Sequence, residues 1–144
     1  MNKLAPIVVF CYNRLYHLKL TVGSLKNNYL ANKSEIFFFI DGPKNLDDMK
    51  KNKEIYRFLI NLKGFKKKKI ILRKKNLGLA KSILDGITKV LNKYEKIIVV
   101  EDDIVTSPYF LKYLNLSLQK YENNKKVMHI SGHSHLTASE NVEQ

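Results

Sequence analysis

The stretch of sequence that decides the fold is Lys96-Ile97-Ile98-Val99-Val100-Glu101-Asp102-Asp103. Its four consecutive apolar residues, with no polar alternation, are typical of a strand covered on both faces of a parallel sheet. Such sheets bind their ligands just beyond the carboxyl ends of the strands. The three carboxylates that end the stretch therefore lie where a parallel α/β protein is expected to bind its ligand.

Three other apolar runs share these properties, and a further run is weaker. The strong runs are Ile7 to Tyr12, Glu35 to Ile40 and Lys69 to Arg73, and the weak one is Val127 to Ser131. Between the runs, apolar residues recur every three or four positions, which predicts amphipathic helices. These helical stripes begin at Leu15, Ile55, Ile83 and Leu111. The alternation predicts a three-layer α/β/α sandwich with a mainly parallel sheet, in a single domain over residues 1–144.

Two polar segments refine the predicted boundaries. Ser107 and Pro108 are predicted as the N-cap and the first position of the last helix. The stretch from Gly42 to Lys53 is predicted to be a loop that enters the second helix.

The composition excludes several classes of protein. The single cysteine, Cys11, excludes an internal disulfide framework and a cysteine-rich zinc module. No apolar run approaches the roughly 20 residues of a membrane span, so a cytoplasmic location is expected. The segment Cys11-Tyr12-Asn13-Arg14 at the end of the first strand has none of the glycines of a dinucleotide-binding loop, and no P-loop motif occurs.

The chain is strongly basic, with 26 lysines and arginines, 13 acidic residues and a net charge of +13. Such a charge attracts nucleic acid, acidic lipid headgroups or phosphorylated small molecules. The excess is mostly lysine, is densest from Lys66 to Lys69, and carries no recognised nucleic-acid motif. A solvated lysine face is the plainer interpretation, and no specific nucleic acid is expected. A basic module that binds nucleic acid or an anionic surface without catalysis remains the alternative function.

The acidic cluster at Glu101, Asp102 and Asp103 is unusual in so basic a chain. Adjacent carboxylates repel one another unless a cation offsets the repulsion. Mg²⁺ and Mn²⁺ take carboxylate oxygens and complete their coordination with substrate phosphates. A solvated acidic turn before a helix is the plainer alternative. The position after a buried strand, with Asp41 expected at a neighbouring strand end, favours a divalent cation.

Two weaker candidates lie elsewhere. Cys11 is expected to be a buried structural thiol and not a nucleophile. The histidines His129, His133 and His135 form a small cluster that is either an ordinary polar loop or a metal-binding group, one member of which could add to a metal held by Asp103.

Several segments resemble GT-A-fold glycosyltransferases, whose nucleotide-binding half is Rossmann-like. The segment Val99 to Tyr113 resembles their acidic metal-binding motif, and most closely its Glu-Asp-Asp form in the N-acetylglucosaminyltransferase I family. Ile7 to Arg14 resembles that family's first strand with its nucleotide-contacting arginine, and Phe39 to Gly42 resembles its strand-end aspartate. Asn76 to Lys81 is similar to the Asn-x-Gly-x-Ala stretch of bacterial family 2-like transferases. The resemblance extends over about residues 5 to 133.

The resemblance implies a role for each matching residue. Asp103 would bind Mn²⁺ (or Mg²⁺) directly, and the ion would bridge the two phosphates of a UDP-sugar. Asp102 and Glu101 would face the ribose and the transferred sugar, and Arg14 would lie near the phosphates. Asp41 would accept the uracil ring N–H. Further donor contacts are implied at Asn13, Leu79 and Ser82, the last at the place of a base-contacting histidine.

The resemblance also implies what the protein does. The expected function is metal-dependent transfer of the sugar from a UDP-sugar to a glycan, a surface polysaccharide or a lipid-linked acceptor. The protein could carry out this reaction in association with the inner face of the membrane. The acceptor-binding half and the general base would follow the segment like Val127 to Gly132, so the chain is expected to be the donor-binding half. A donor-binding domain without turnover is the corresponding alternative, and no catalytic base is assigned.

Overall fold

Four parallel strands form the sheet in the computed structural model, which describes residues 3–133. In chain order the elements are β1 (Ile7–Cys11), α1 (Leu15–Lys26), a 3₁₀ turn (Ala31–Lys33), β2 (Glu35–Ile40), α2 (Leu46–Ile60), β3 (Lys67–Leu72), α3 (Leu79–Leu91), β4 (Ile98–Glu101) and α4 (Phe110–Lys120). The strand order is β3-β2-β1-β4. The chain therefore builds outward from β1 to β3 and then crosses back, which makes the β1/β4 boundary the topological switch point of the sheet.

The sheet is covered on both faces, as the continuous apolar runs predict. Along β1, Ile7, Val9 and Cys11 pack in the core beneath α1, α2 and α4. The alternate residues Val8 and Phe10 pack on the opposite face against α3. The predicted three-layer α/β/α sandwich with a parallel sheet is confirmed.

The second helix begins earlier than predicted. Its first residue is Leu46, because the Asn45 side chain accepts the backbone N–H of Asp48 at 2.9 Å and caps the helix there. Most of the stretch predicted as a loop, Gly42 to Lys53, is therefore helical.

Two predictions near the last helix are wrong. The Ser107 carbonyl accepts the Phe110 N–H at 3.1 Å and closes a turn, so α4 begins at Phe110 and Ser107 is not its N-cap. The weak run Val127 to Ser131 forms no strand in the described part of the chain. An apolar run becomes a strand only where it pairs with a sheet edge, and this segment does not pair with β4.

Within residues 3–133, no helix is both long enough and apolar enough to cross a bilayer.

Candidate functional site

An arginine and two carboxylates meet at the switch point. The loop after β1 carries Arg14, and the turn after β4 carries Asp102 and Asp103; β1 and β4 are paired neighbours. The Arg14 guanidinium donates through Nη2 to Asp102 Oδ1 and through Nη1 to Asp103 Oδ2, the second at 3.1 Å. The structure thus brings Arg14 together with two members of the acidic triplet, which lie 88 and 89 positions further along the chain.

Asp102 is the fixed member of this group. Its side chain is only 5% exposed, and its carboxylate also accepts the backbone N–H of Tyr12. Its main-chain carbonyl accepts the Thr21 hydroxyl of α1 at 2.9 Å. Burial raises the pKa of Asp102, and the hydrogen bond from Arg14 opposes that shift. Asp102 therefore anchors both the turn and the guanidinium.

Asp103 and Glu101 point to more open surroundings. The Asp103 side chain is 40% exposed, and Arg14 is its ion-pair partner among the described residues. Glu101 is exposed and lines a groove of about 1110 Å³ along the outer side of β4. The triplet is therefore divided into one buried carboxylate and two that a ligand can reach.

Asp41 organises the loops that follow β2 and β3. Its carboxylate accepts the backbone N–H of Gly42 at 3.0 Å, of Leu77 at 3.1 Å and of Gly78 at 3.1 Å. The loops also touch directly, since a Cβ on Gly42 would lie 2.2 Å from the carbonyl carbon of Lys75. Asp41 is 6% exposed, so its observed role is to hold these loops together. Its contact with a uracil ring remains a prediction.

Arg73 was not selected from the sequence, although it is a buried arginine at the end of β3. Its guanidinium donates to the Ser82 hydroxyl, to the Ser82 carbonyl at 2.9 Å and to Asp85 Oδ2 at 2.7 Å. Its guanidinium carbon lies 5.3 Å from the centre of the Phe39 ring. Ser82 is thus buried against Arg73, whereas Leu79, at the start of α3, is 68% exposed.

Asp48 was also missed. Its carboxylate accepts the Tyr12 hydroxyl at 2.5 Å, the Asn13 amide at 2.8 Å and the Lys44 backbone N–H at 3.2 Å. The Tyr12 and Asn13 hydrogen bonds lower the pKa of Asp48, while burial, aided by Asp48, raises the pKa of Tyr12 to about 12. An acid in the first turn of a helix is common for dipole reasons alone, so no spacing pointed to this contact.

The predicted site residues form two adjoining groups. The first group, around the ends of β1 and β4, contains Asn13, Arg14, Glu101, Asp102 and Asp103. The second, around the ends of β2 and β3, contains Asp41, Leu79 and Ser82. The two groups adjoin because the Asp41 N–H donates to the Cys11 carbonyl at 2.9 Å, which continues the β1/β2 pairing.

The carboxylates of the first group suit a divalent cation whose other ligands are phosphate oxygens. In the described part of the chain, no three His, Cys, Asp or Glu side chains converge as an all-protein metal cage, so His129 and His133 do not complete one with Asp103. His135 lies outside the described residues. Asp102 and Asp103 nevertheless already hold a cation, the guanidinium of Arg14. One or two carboxylates of this kind suit Mg²⁺ or Mn²⁺ whose remaining ligands are phosphate oxygens and water.

Cys11 has the predicted structural role. It is buried, and its Sγ lies 3.6 Å from the Phe39 carbonyl. Burial raises the pKa of its thiol, which keeps the sulfur protonated and unreactive.

The sequence matches no known protein family and no curated protein. The fold is similar to S. aureus TarS 1-349, a glycosyltransferase, with a TM-score of 0.59 and 15% identity over 83% of this chain and 33% of that one. A second structure of S. aureus TarS has a TM-score of 0.57 and 15% identity, over 83% of this chain and 20% of that one. The likeness shows a GT-A-like fold. The chain spans about a third and a fifth, respectively, of these two chains.

Proposed function

We propose that this chain binds a UDP-sugar together with Mn²⁺ or Mg²⁺ and serves as the donor-binding part of a glycosyltransferase. One observation carries the proposal: Arg14, Asp102 and Asp103 meet at the carboxyl ends of β1 and β4. This is the switch point of a GT-A-like sheet, where open α/β folds bind nucleotides. A glycan, surface-polysaccharide or lipid-linked acceptor completes the proposed reaction.

The difference in exposure between Asp102 and Asp103 supports a separate role for each carboxylate. Asp103, with its exposed oxygens, would hold the ion, and Arg14 would bind a phosphate oxygen. Buried Asp102 would keep Arg14 at the site. When bound, the ion would neutralise charge that develops on the diphosphate leaving group.

The neighbouring loops support a place for the nucleoside and the sugar. Asp41 binds backbone N–H groups after β2 and β3, and Asp48 holds the Asn13 side chain after β1. The walls of the proposed base site are therefore ordered before the nucleotide arrives. Glu101 faces the groove beside β4, where the sugar is proposed to lie.

Calorimetric titration of the chain with UDP, with and without Mn²⁺, tests the proposal. We expect saturable binding that strengthens with Mn²⁺ and weakens in Asp103→Asn. The control Asp47→Asn changes an exposed carboxylate of α2 and should bind like wild type. Equal, negligible heats with and without Mn²⁺ would refute the proposal. Salt-steep binding of duplex DNA or anionic vesicles that is unaffected by Asp103→Asn would instead favour the basic binding module.

A further inference from the structure

The two arms of the Arg14 guanidinium are held unequally. The Nη2 arm contacts the buried carboxylate of Asp102, which also accepts the Tyr12 backbone N–H, and the main-chain carbonyl of Asp102 accepts the Thr21 hydroxyl. The Nη1 arm contacts Asp103, which is 40% exposed, at 3.1 Å. Exposed ion pairs contribute little to stability, whereas a buried carboxylate left without its partner is costly. The contact with Asp103 is therefore the one that can open.

The Asp103 carboxylate has two possible cationic partners, the Arg14 guanidinium on its Oδ2 and a divalent ion. In the proposed function it binds a divalent ion, but in the structure it accepts from Arg14 Nη1. An ion arriving alone must either displace this hydrogen bond or bind the other oxygen beside a positive guanidinium. Its binding is thereby weakened.

A diphosphate changes this balance. Its oxygens are strong acceptors for a guanidinium and compete with Asp103 for the Nη1 arm. The Nη2 arm can remain on Asp102 throughout, so a rotation of the Arg14 side chain is enough to release Asp103.

We propose that Arg14 couples nucleotide and metal binding. Without nucleotide its Nη1 arm occupies Asp103 in place of the metal, and a nucleoside diphosphate draws that arm away and opens Asp103 to the ion. The inference rests on the proposed function. By linkage, the metal must strengthen nucleotide binding by the same factor as the nucleotide strengthens metal binding.

The variant Arg14→Lys tests this coupling at constant charge. A single ammonium group cannot fork, and we expect it to remain on buried Asp102 and leave Asp103 open. Binding of Mn²⁺ is measured from the electron paramagnetic resonance signal of free Mn²⁺, with and without UDP. The signal is corrected by a titration of UDP without protein. Arg57→Lys, an exposed site on α2, is the matched control.

We expect Arg14→Lys to bind Mn²⁺ alone at least about fivefold more tightly than wild type, with a correspondingly smaller gain from UDP. Circular dichroism checks that it folds, and Arg14→Gln provides a second variant with the same expected direction. Equal Mn²⁺ affinity in wild type, Arg14→Lys and Arg14→Gln, with UDP-dependent Mn²⁺ binding in wild type, would overturn the coupling and leave the proposed function intact. A wild-type chain that binds neither UDP nor Mn²⁺ would overturn both.

Discussion

The carboxylate of Asp41 accepts the backbone N–H of Gly78 at 3.1 Å, across 37 positions of sequence. Gly78 adopts a φ of +77°, in the left-handed region that favours glycine, and directly precedes α3. The end of β2 therefore sets the conformation in which the chain enters α3. Part of the candidate site is built by one side chain that binds the backbone of a distant loop.

Replacing Asp41 by asparagine should weaken this junction. Asparagine has the same shape but only one acceptor oxygen, so it cannot satisfy the N–H groups of both Gly42 and Gly78. We expect the free energy of unfolding to fall by about 1–3 kcal/mol, as measured by urea denaturation. Asp47→Asn removes an exposed carboxylate in the first turn of α2 that pairs with Lys51, and it should have a smaller effect of about 0.3–1 kcal/mol. Equal effects of the two substitutions would contradict the role given to Asp41.

Asp48 should make the free energy of unfolding depend on pH under acidic conditions. Its pKa is lowered in the folded protein, chiefly by the hydrogen bonds from Tyr12 and Asn13, so the unfolded chain takes up a proton first as the pH falls. Its contribution is therefore complete well above about pH 4, the ordinary range of aspartate, and is lost below it.

Urea denaturation of wild type and Asp48→Asn from pH 6 to pH 2 measures this contribution. We expect wild type to be the more stable at pH 6 and the difference to narrow steadily below pH 4. A difference that stays constant over the whole range would show that the carboxylate charge has no part in it.

Two helical glycines should respond oppositely to alanine. A Cβ on Gly86 of α3 would lie 2.4 Å from a ring carbon of buried Phe10, whereas one on Gly23 of α1 would meet nothing within 4 Å. Gly23→Ala should therefore raise the free energy of unfolding by about 0.5–1 kcal/mol through helix propensity. Gly86→Ala should lower it by about 1–3 kcal/mol through overpacking. Thermal and urea denaturation check both, and stabilisation by Gly86→Ala would show that α3 packs less closely on the sheet.

One residue of the lysine block has a structural role. The Lys68 ammonium donates to the carbonyls of Leu59, Ile60 and Leu62 at 2.5–2.9 Å, where α2 ends. Lys68→Met should lower the free energy of unfolding by about 1–2 kcal/mol, because these carbonyls lose a charged donor. The control Lys67→Met changes the preceding exposed lysine and should have little effect. Equal denaturation midpoints would indicate a solvated lysine face throughout.

The three consecutive lysines at the start of β3 differ in their contacts, which the composition could not show. Lys68 reaches the end of α2, whereas Lys67 and Lys69 are exposed on β3, an edge strand. Lysines on an edge strand discourage pairing with other chains. Part of the basic excess thus serves the fold, whichever anion the chain binds.

The sequence alone was sufficient to predict the layered parallel fold and the place of the acidic triplet. Both follow from local patterns: strands buried on two faces need continuous apolar runs, and residues after such a strand lie at the binding edge of the sheet. The exact ends of the helices and strands were harder to predict from the sequence than their order. The run from Val127 depended on a partner strand, and the start of α2 depended on the Asn45 cap.

The contacts within the site depended on tertiary structure. Arg14 and Asp103 are 89 positions apart, and they meet because the strand order places β4 beside β1. The roles of Asp48 and Arg73 likewise arise from packing between separate elements. Local sequence patterns show which face of a helix or strand is buried. The order of strands in the sheet, however, determines which charged side chains meet. It therefore also determines which carboxylate is anchored and which is left open to a ligand.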